Sequence, residues 1–188
     1  MAEVIGAAFL GVAKYVKNER GEDFLNKVIQ DAGATTGEVF VKRIVTVGLY
    51  PYKAYIDFLK SLDRHLGRGD LSYCRKLGEI AARRDFEIIY SMYKKTGEAE
   101  SLIRDCGLIW KSYYRNAGRM EAVAWAPDNT LMRIHDFPEM DSAHCRLIEG
   151  WMTGALRVID VKMPEEFREI KCMSRGGPYH EFAARWSM

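Results

Sequence analysis

Two residues near the C-terminus have the right types and spacing for chemistry. Cys172 and His180 lie on either side of "SRGGPY" in the run "IKCMSRGGPYHEFAARW". The glycine pair predicts a tight turn, so the flanks read as two short antiparallel strands. Side chains alternate between faces along a strand. Ile170 and Cys172 are therefore expected on one face, with His180 nearly opposite Cys172, and cross-strand neighbours of this kind sit about 5 Å apart. A thiol and an imidazole at that distance can share a metal ion, edge a ligand pocket or pack as core. Zinc is the metal such donors suit, and it takes four ligands. Cys145 is the candidate third, with His144, His135 or Asp141 as fourth. No two of these form a CxxC-type pair, and a buried cysteine with a hydrogen-bonded core histidine is the competing reading.

The helix expected to carry Cys145, "SAHCRLIEGWMTGALRVI", places Gly150 and Gly154 four residues apart on one face. Glycine costs roughly 1 kcal/mol inside a helix, so two on one face point to close approach by another backbone or by a ligand. Asp136, Glu139 and Asp141 precede that helix, where its dipole stabilises acids, and they read as capping groups. No GxSxG, HExxH, Walker or GxGxxG pattern is present, and "RGGP" opens no helix. Nothing assembles a nucleophile with its base, so no enzyme activity is expected.

The elements that must position these residues can be read from the 188-residue chain, 48% hydrophobic and 29% charged with net charge +2. One domain spanning 1–188 is expected, mainly helical over 1–117 and ββαββ over 118–188. Helices are predicted over Val4–Lys17, Glu22–Ala32, Pro51–Leu66, Leu71–Arg84 (capped by Asp70), Phe86–Lys95 and Glu98–Asn116. "GEVFVKRIVTVGLYPY" is ambiguous, because its β-branched residues favour an extended piece. A hairpin about "PDNT", the helix Met140–Val161 and the closing hairpin complete the chain. Helices followed by ββαββ define an α+β fold, with a helical layer packed on a twisted antiparallel sheet.

The charge balance excludes the clustered basic stripe of a nucleic-acid binder. The first apolar run is too short to span a bilayer and lacks the basic start of an export signal. Four widely spaced cysteines then read as reduced thiols, and a cytoplasmic setting is expected.

"AHCRLIEGWMTGAL…FREIKCMSRGGPYHEFAARW" resembles the C-terminal signature of the vinyl-4-reductase domain. Cys145, Gly150, Gly154, Cys172, Gly176, Gly177 and Phe182 match it, and His180 stands where the signature has a third cysteine. The resemblance, which covers nearly the whole chain and is to a bacterial branch, implies a fold shared with haem-based nitric-oxide sensors and TRAPP-type tethering subunits. It also implies a dimer and an interlayer cavity for a hydrophobic small molecule, with Cys145, Cys172 and His180 as a metal site. Haem is not expected, because the Tyr-x-Ser-x-Arg clamp of the nitric-oxide sensors is missing and no histidine matches their axial ligand.

The expected function is a sensor or carrier binding a hydrophobic small molecule, with Tyr55, Phe58, Trp110, Tyr114, Trp151, Met152, Phe182 and Trp186 lining the cavity. With no output domain in the chain, the signal would pass to a protein partner. The alternatives are a scaffold subunit of the tethering type and a metal-binding or reductase-type enzyme.

Overall fold

The computed structural model describes residues 1–88, 99–159 and 167–186. It is α+β, with the helices first. Strand β1 (Glu3–Ile5) leads into α1 (Gly6–Arg20), followed by α2 (Glu22–Asp31) and α3 (Ala34–Val41). Strand β2 (Leu49–Pro51), α4 (Tyr52–Leu66) and α5 (Ser72–Ile88) come next, then α6 (Ala99–Arg104), α7 (Cys106–Tyr113) and β3 (Tyr114–Arg115). The remainder is β4 (Arg119–Ala126), β5 (Asn129–His135), α8 (Ser142–Val158), β6 (Arg168–Lys171), a 3-10 turn (Met173–Arg175) and β7 (His180–Arg185).

The predicted ββαββ unit is present as a four-stranded antiparallel sheet in the order β4-β5-β7-β6. The two hairpins join through β5 and β7, with Ile134 opposite His180. A second sheet, β2-β1-β3, was not expected from the sequence. Its strands are two or three residues long, too short for alternation to register. The ambiguous stretch splits into α3 and β2, and the expected helix over Glu98–Asn116 breaks into α6, α7 and β3. The helix predicted over Phe86–Lys95 lies largely outside the described residues.

Helix α5 starts as its residues dictate. The Asp70 carboxylate accepts from Ser72 N–H at 3.0 Å. Buried Asp63, reaching across from α4, accepts from the N–H groups of Leu71 and Tyr73 at 2.9 and 2.8 Å. These bonds satisfy donors that a helix N-terminus leaves unpaired. Asp141 does the same for α8 by accepting from Ala143 N–H at 2.8 Å.

Helices α5 and α8 pack almost backbone to backbone. A Cβ on Gly150 would lie 1.9 Å from the Arg75 carbonyl oxygen, and one on Gly78 would lie 2.1 Å from that of Leu147. Gly154 faces Ala82 and Glu79 on the same seam. Close approach by a neighbouring helix is thus the reason for the two glycines on one face of α8. Replacing Gly150 with alanine forces the helices apart, and we expect it to lower unfolding stability by about 2 kcal/mol or more. Chemical denaturation would show this as a lower midpoint at unchanged m-value.

Candidate functional site

Two places in the fold gather functional side chains. The first joins α8 to the closing hairpin. The ligand atoms of Cys145, Glu169, Cys172 and His180 all lie within 4.8 Å of one another. Cys145 Sγ is 3.5 Å from His180 Nδ1, which is also 3.0 Å from the Glu169 carboxylate. His180 Nε2 faces the Phe137 carbonyl at 3.4 Å. A carbonyl only accepts, so Nε2 carries hydrogen, and Nδ1 is the nitrogen turned to the cluster, where a proton on it bonds Glu169 and would leave if a metal took its place. Burial pushes the Cys145 thiol far up, and nearby Glu169 adds to the effect. Burial also pushes the Glu169 carboxyl up, but hydrogen bonds from His180, Cys145 and Cys172, helped by Arg175, outweigh it and hold that carboxyl below its usual range. Three groups that can each lose a proton thus face one another in a buried space, a set a cation would neutralise.

The structure brings together the three donors singled out in the sequence and adds Glu169. Simple alternation hid Glu169. The β6–β7 register slips between Glu169 and Lys171, and such a bulge re-aims side chains. Ile170, expected on the inner face with Cys172, is 55% exposed, while Glu169 turns inward. The other three proposed fourth ligands lie elsewhere. His135 pairs with Glu121 at 2.8 Å, Asp141 caps α8, and His144 belongs to a separate network.

That network is buried beside the second place, the interlayer cavity. Asp141 N–H donates to Tyr52 Oη at 3.1 Å. Tyr52 Oη spends its one proton on His144 Nδ1 at 3.0 Å. Nδ1 therefore accepts, and Nε2–H donates to Tyr114 Oη at 2.8 Å. The Trp110 ring stacks on this imidazole at 5.5 Å. Burial, with a smaller contribution from His180, pushes the His144 pKa down to about 3, so the neutral ring that this chain of bonds requires is the one that burial favours.

The cavity holds about 70 Å³ and is bounded by α1, α4, α5, α6, α7, α8 and strands β3, β4 and β5. Of the residues expected to line it, Tyr55, Trp110, Tyr114, Trp151 and Met152 are on its wall. Phe58, Phe182 and Trp186 are not. Phe58 packs against Phe9 and Phe40, and Trp186 against Trp125, while Phe182 is fully buried within the four-stranded sheet. Stripes at helical or strand spacing mark burial without separating core from cavity wall.

Sequence reasoning missed the cavity's charged pair. Arg84 and Asp85 are the only charged residues on its wall among the described residues. Asp85 accepts from Arg84 Nε and Nη2 at 3.0 and 2.6 Å, from Tyr113 Oη at 2.5 Å and from Trp151 Nε1 at 2.9 Å. Type and spacing give Arg84 no distinction within the pair Arg83–Arg84, and its bonds to Asp85 beside the cavity depend on tertiary packing. Cys106 also reaches the wall, with burial pushing its thiol up to about 11.

No family model matches this chain, and neither does any curated protein. Solved structures do match. An H-NOX protein from S. oneidensis in the Fe(II)NO state aligns with TM-score 0.75 at 12% identity, covering 98% of this chain and 99% of that one. The H-NOX domain from Shewanella oneidensis in the Fe(II)CO state gives 0.72 at 14%, covering 97% and 98%. Fe(II) unliganded H-NOX from K. algicida gives 0.68 at 13%, covering 98% and 97%. At these identities the likeness establishes the fold, which is that of H-NOX domains.

Two expectations are corrected by these matches. The vinyl-4-reductase and TRAPP-type resemblance does not hold, because these matching structures are H-NOX proteins. The residues that carried it have local causes instead: Gly150 and Gly154 admit α5, and Cys145 and Cys172 meet in the four-donor cluster. The expectation against haem also falls. It rested on a missing sequence clamp and on the lack of a histidine matching the sensors' axial ligand, whereas the neighbours are iron-bound in Fe(II), NO and CO states, and another was solved to probe haem distortion in the H-NOX family. Among the described residues, no helix is long and apolar enough to cross a membrane.

The directed bonds around His144 give a test of the site's geometry. Replacing Tyr52 with phenylalanine removes both the acceptor for Asp141 N–H and the donor to His144. A stability loss of about 1–3 kcal/mol is expected. Ring ¹⁵N shifts should show the Nε2–H tautomer in the wild type and a mixture in the variant.

Proposed function

We propose that this chain is a non-enzymatic sensory domain whose interlayer cavity takes a small ligand. The observation that carries this reading is the cavity itself, a nearly all-apolar space between helices and sheet in a fold whose solved members bind diatomic gases at iron. A cavity of about 150 Å³ accommodates benzene or xenon and stays dry when apolar. At about 70 Å³ the present one suits a ligand of a few atoms.

Haem suits the wall chemically. Its lining is apolar, and Cys106, Tyr55, Tyr113 and Tyr114 are of residue types that ligate haem iron. Among the described residues the wall has no histidine, so Cys106 or one of these tyrosines would hold the iron. A group of that size also needs the helices to part from the sheet. When bound, haem supplies an iron that takes gases such as NO and CO. The residues themselves exclude water and, through Arg84, Tyr113 and Trp151, offer polar edges.

The test is direct. Xenon dissolved at a few atmospheres should shift amide resonances around Trp110, Trp151 and Met152. Anaerobic titration with ferrous haem should give a Soret band that moves on adding CO and weakens in Cys106→Ala or Tyr114→Phe. A protein that binds neither xenon nor haem would reduce the cavity to a packing gap.

The four-donor cluster favours a second element of the same reading. Cys145, Glu169, Cys172 and His180 would hold one thiophilic divalent ion that clips the β6–β7 hairpin to α8. Added Co(II) should give thiolate charge-transfer and tetrahedral d–d absorption at one ion per chain and raise the melting temperature. Cys172→Ala should abolish the absorption. No spectrum with the wild type would leave the cluster as a buried hydrogen-bonded group.

A further inference from the structure

A second hollow lies against the first. A surface groove of about 430 Å³ runs between α1 and α5, with Leu10, Lys14, Tyr15 and Leu77 among its lining residues. Its wall and that of the inner cavity share four residues, Val12, Ala81, Arg84 and Asp85. These four residues form a strip common to both walls, and its charged members are the Arg84–Asp85 pair.

The two members of the pair are held differently. The Asp85 side chain is 2% exposed and fixed on the inner side by Tyr113 and Trp151. The Arg84 side chain is 28% exposed. Its guanidinium lies against α1 in a notch that exists because residue 11 is glycine: a Cβ there would sit 1.0 Å from Arg84 Nη1. An arginine side chain is flexible, and among the described residues its movement breaks hydrogen bonds to Asp85 alone.

We propose that the groove between α1 and α5 is the entrance to the ligand cavity and that Arg84, seated in the Gly11 notch and latched to Asp85, is its gate. This rests on the reading of the cavity as a ligand site. The guanidinium closes the strip when paired and opens it by swinging into the groove, while Asp85 stays in place. The side chain thus sets which molecules enter: small neutral ligands pass during brief openings, and larger ones need the latch broken.

Xenon is the probe, with entry and exit rates read by ¹²⁹Xe saturation transfer. Gly11→Ala evicts the guanidinium from its notch while keeping both charges. It should raise the entry and exit rates together by about tenfold, the change expected when one charge-assisted hydrogen bond is lost, with the bound fraction unchanged. Arg84→Met should speed both rates as well, but it strips Asp85 of its cation and can unsettle the fold, so Gly11→Ala decides. Bound xenon with wild-type rates in Gly11→Ala would overturn the gate and leave the cavity standing. A changed affinity without matched changes in both rates would make Arg84 a wall contact and overturn the gate too. No bound xenon in the wild type would remove the cavity reading and the gate with it.

Discussion

The contact between α5 and α8 governs the rest of the molecule. Gly78 on one helix and Gly150 and Gly154 on the other let the backbones nearly touch. Everything that matters for a ligand hangs from this pair. Helix α8 carries Cys145 to the hairpin and holds Trp151 and Met152 on the cavity wall, while α5 carries Arg84 and Asp85 to the opposite side. Trp151 Nε1 bonds Asp85 directly. Separating the helices by one methyl group would therefore disturb the wall and the latch together.

Among the described residues, the charge buried along this seam is answered. The fully buried Glu149 carboxylate on α8 meets Arg75 of α5, takes Arg146 from its own helix and accepts Glu169 N–H at 2.7 Å. One carboxylate thus ties both helices to β6. An unpaired charge in that position would cost several kcal/mol. The same bond fixes the Glu169 backbone where its side chain joins the four-donor cluster, so helix packing and cluster geometry share a constraint.

Much of the architecture was legible in the sequence because it is local. Asp70 before α5, Pro51 before α4 and the glycines at 176 and 177 are punctuation with short-range causes, and the ββαββ order followed from alternation. Gly150 and Gly154 announced a close approach without naming the partner. Cys145, Cys172 and His180 could be singled out by type, but Glu169 could not, because a single unpaired residue in β6 reversed the expected faces. The Arg84–Asp85 pair was hidden for another reason. Adjacent residues on a helix point in different directions, and only packing against Tyr113, Trp151 and α1 turned them into one unit. The H-NOX likeness lies beyond sequence reading altogether, since identities of 12–14% carry the core's shape without its motifs.

The bulge that turns Glu169 inward has a counterpart. Strand β4, at the other edge of the four-stranded sheet, shifts register between Ala122 and Ala124, while the inner β5–β7 pair is regular. Both outer strands are thus irregular where a flat edge would present a continuous row of unpaired backbone groups. A neighbouring molecule cannot extend either ladder without breaking step within a few residues. The distortion that builds the donor cluster on one edge is, with its twin, the kind of irregularity that disfavours intermolecular strand addition.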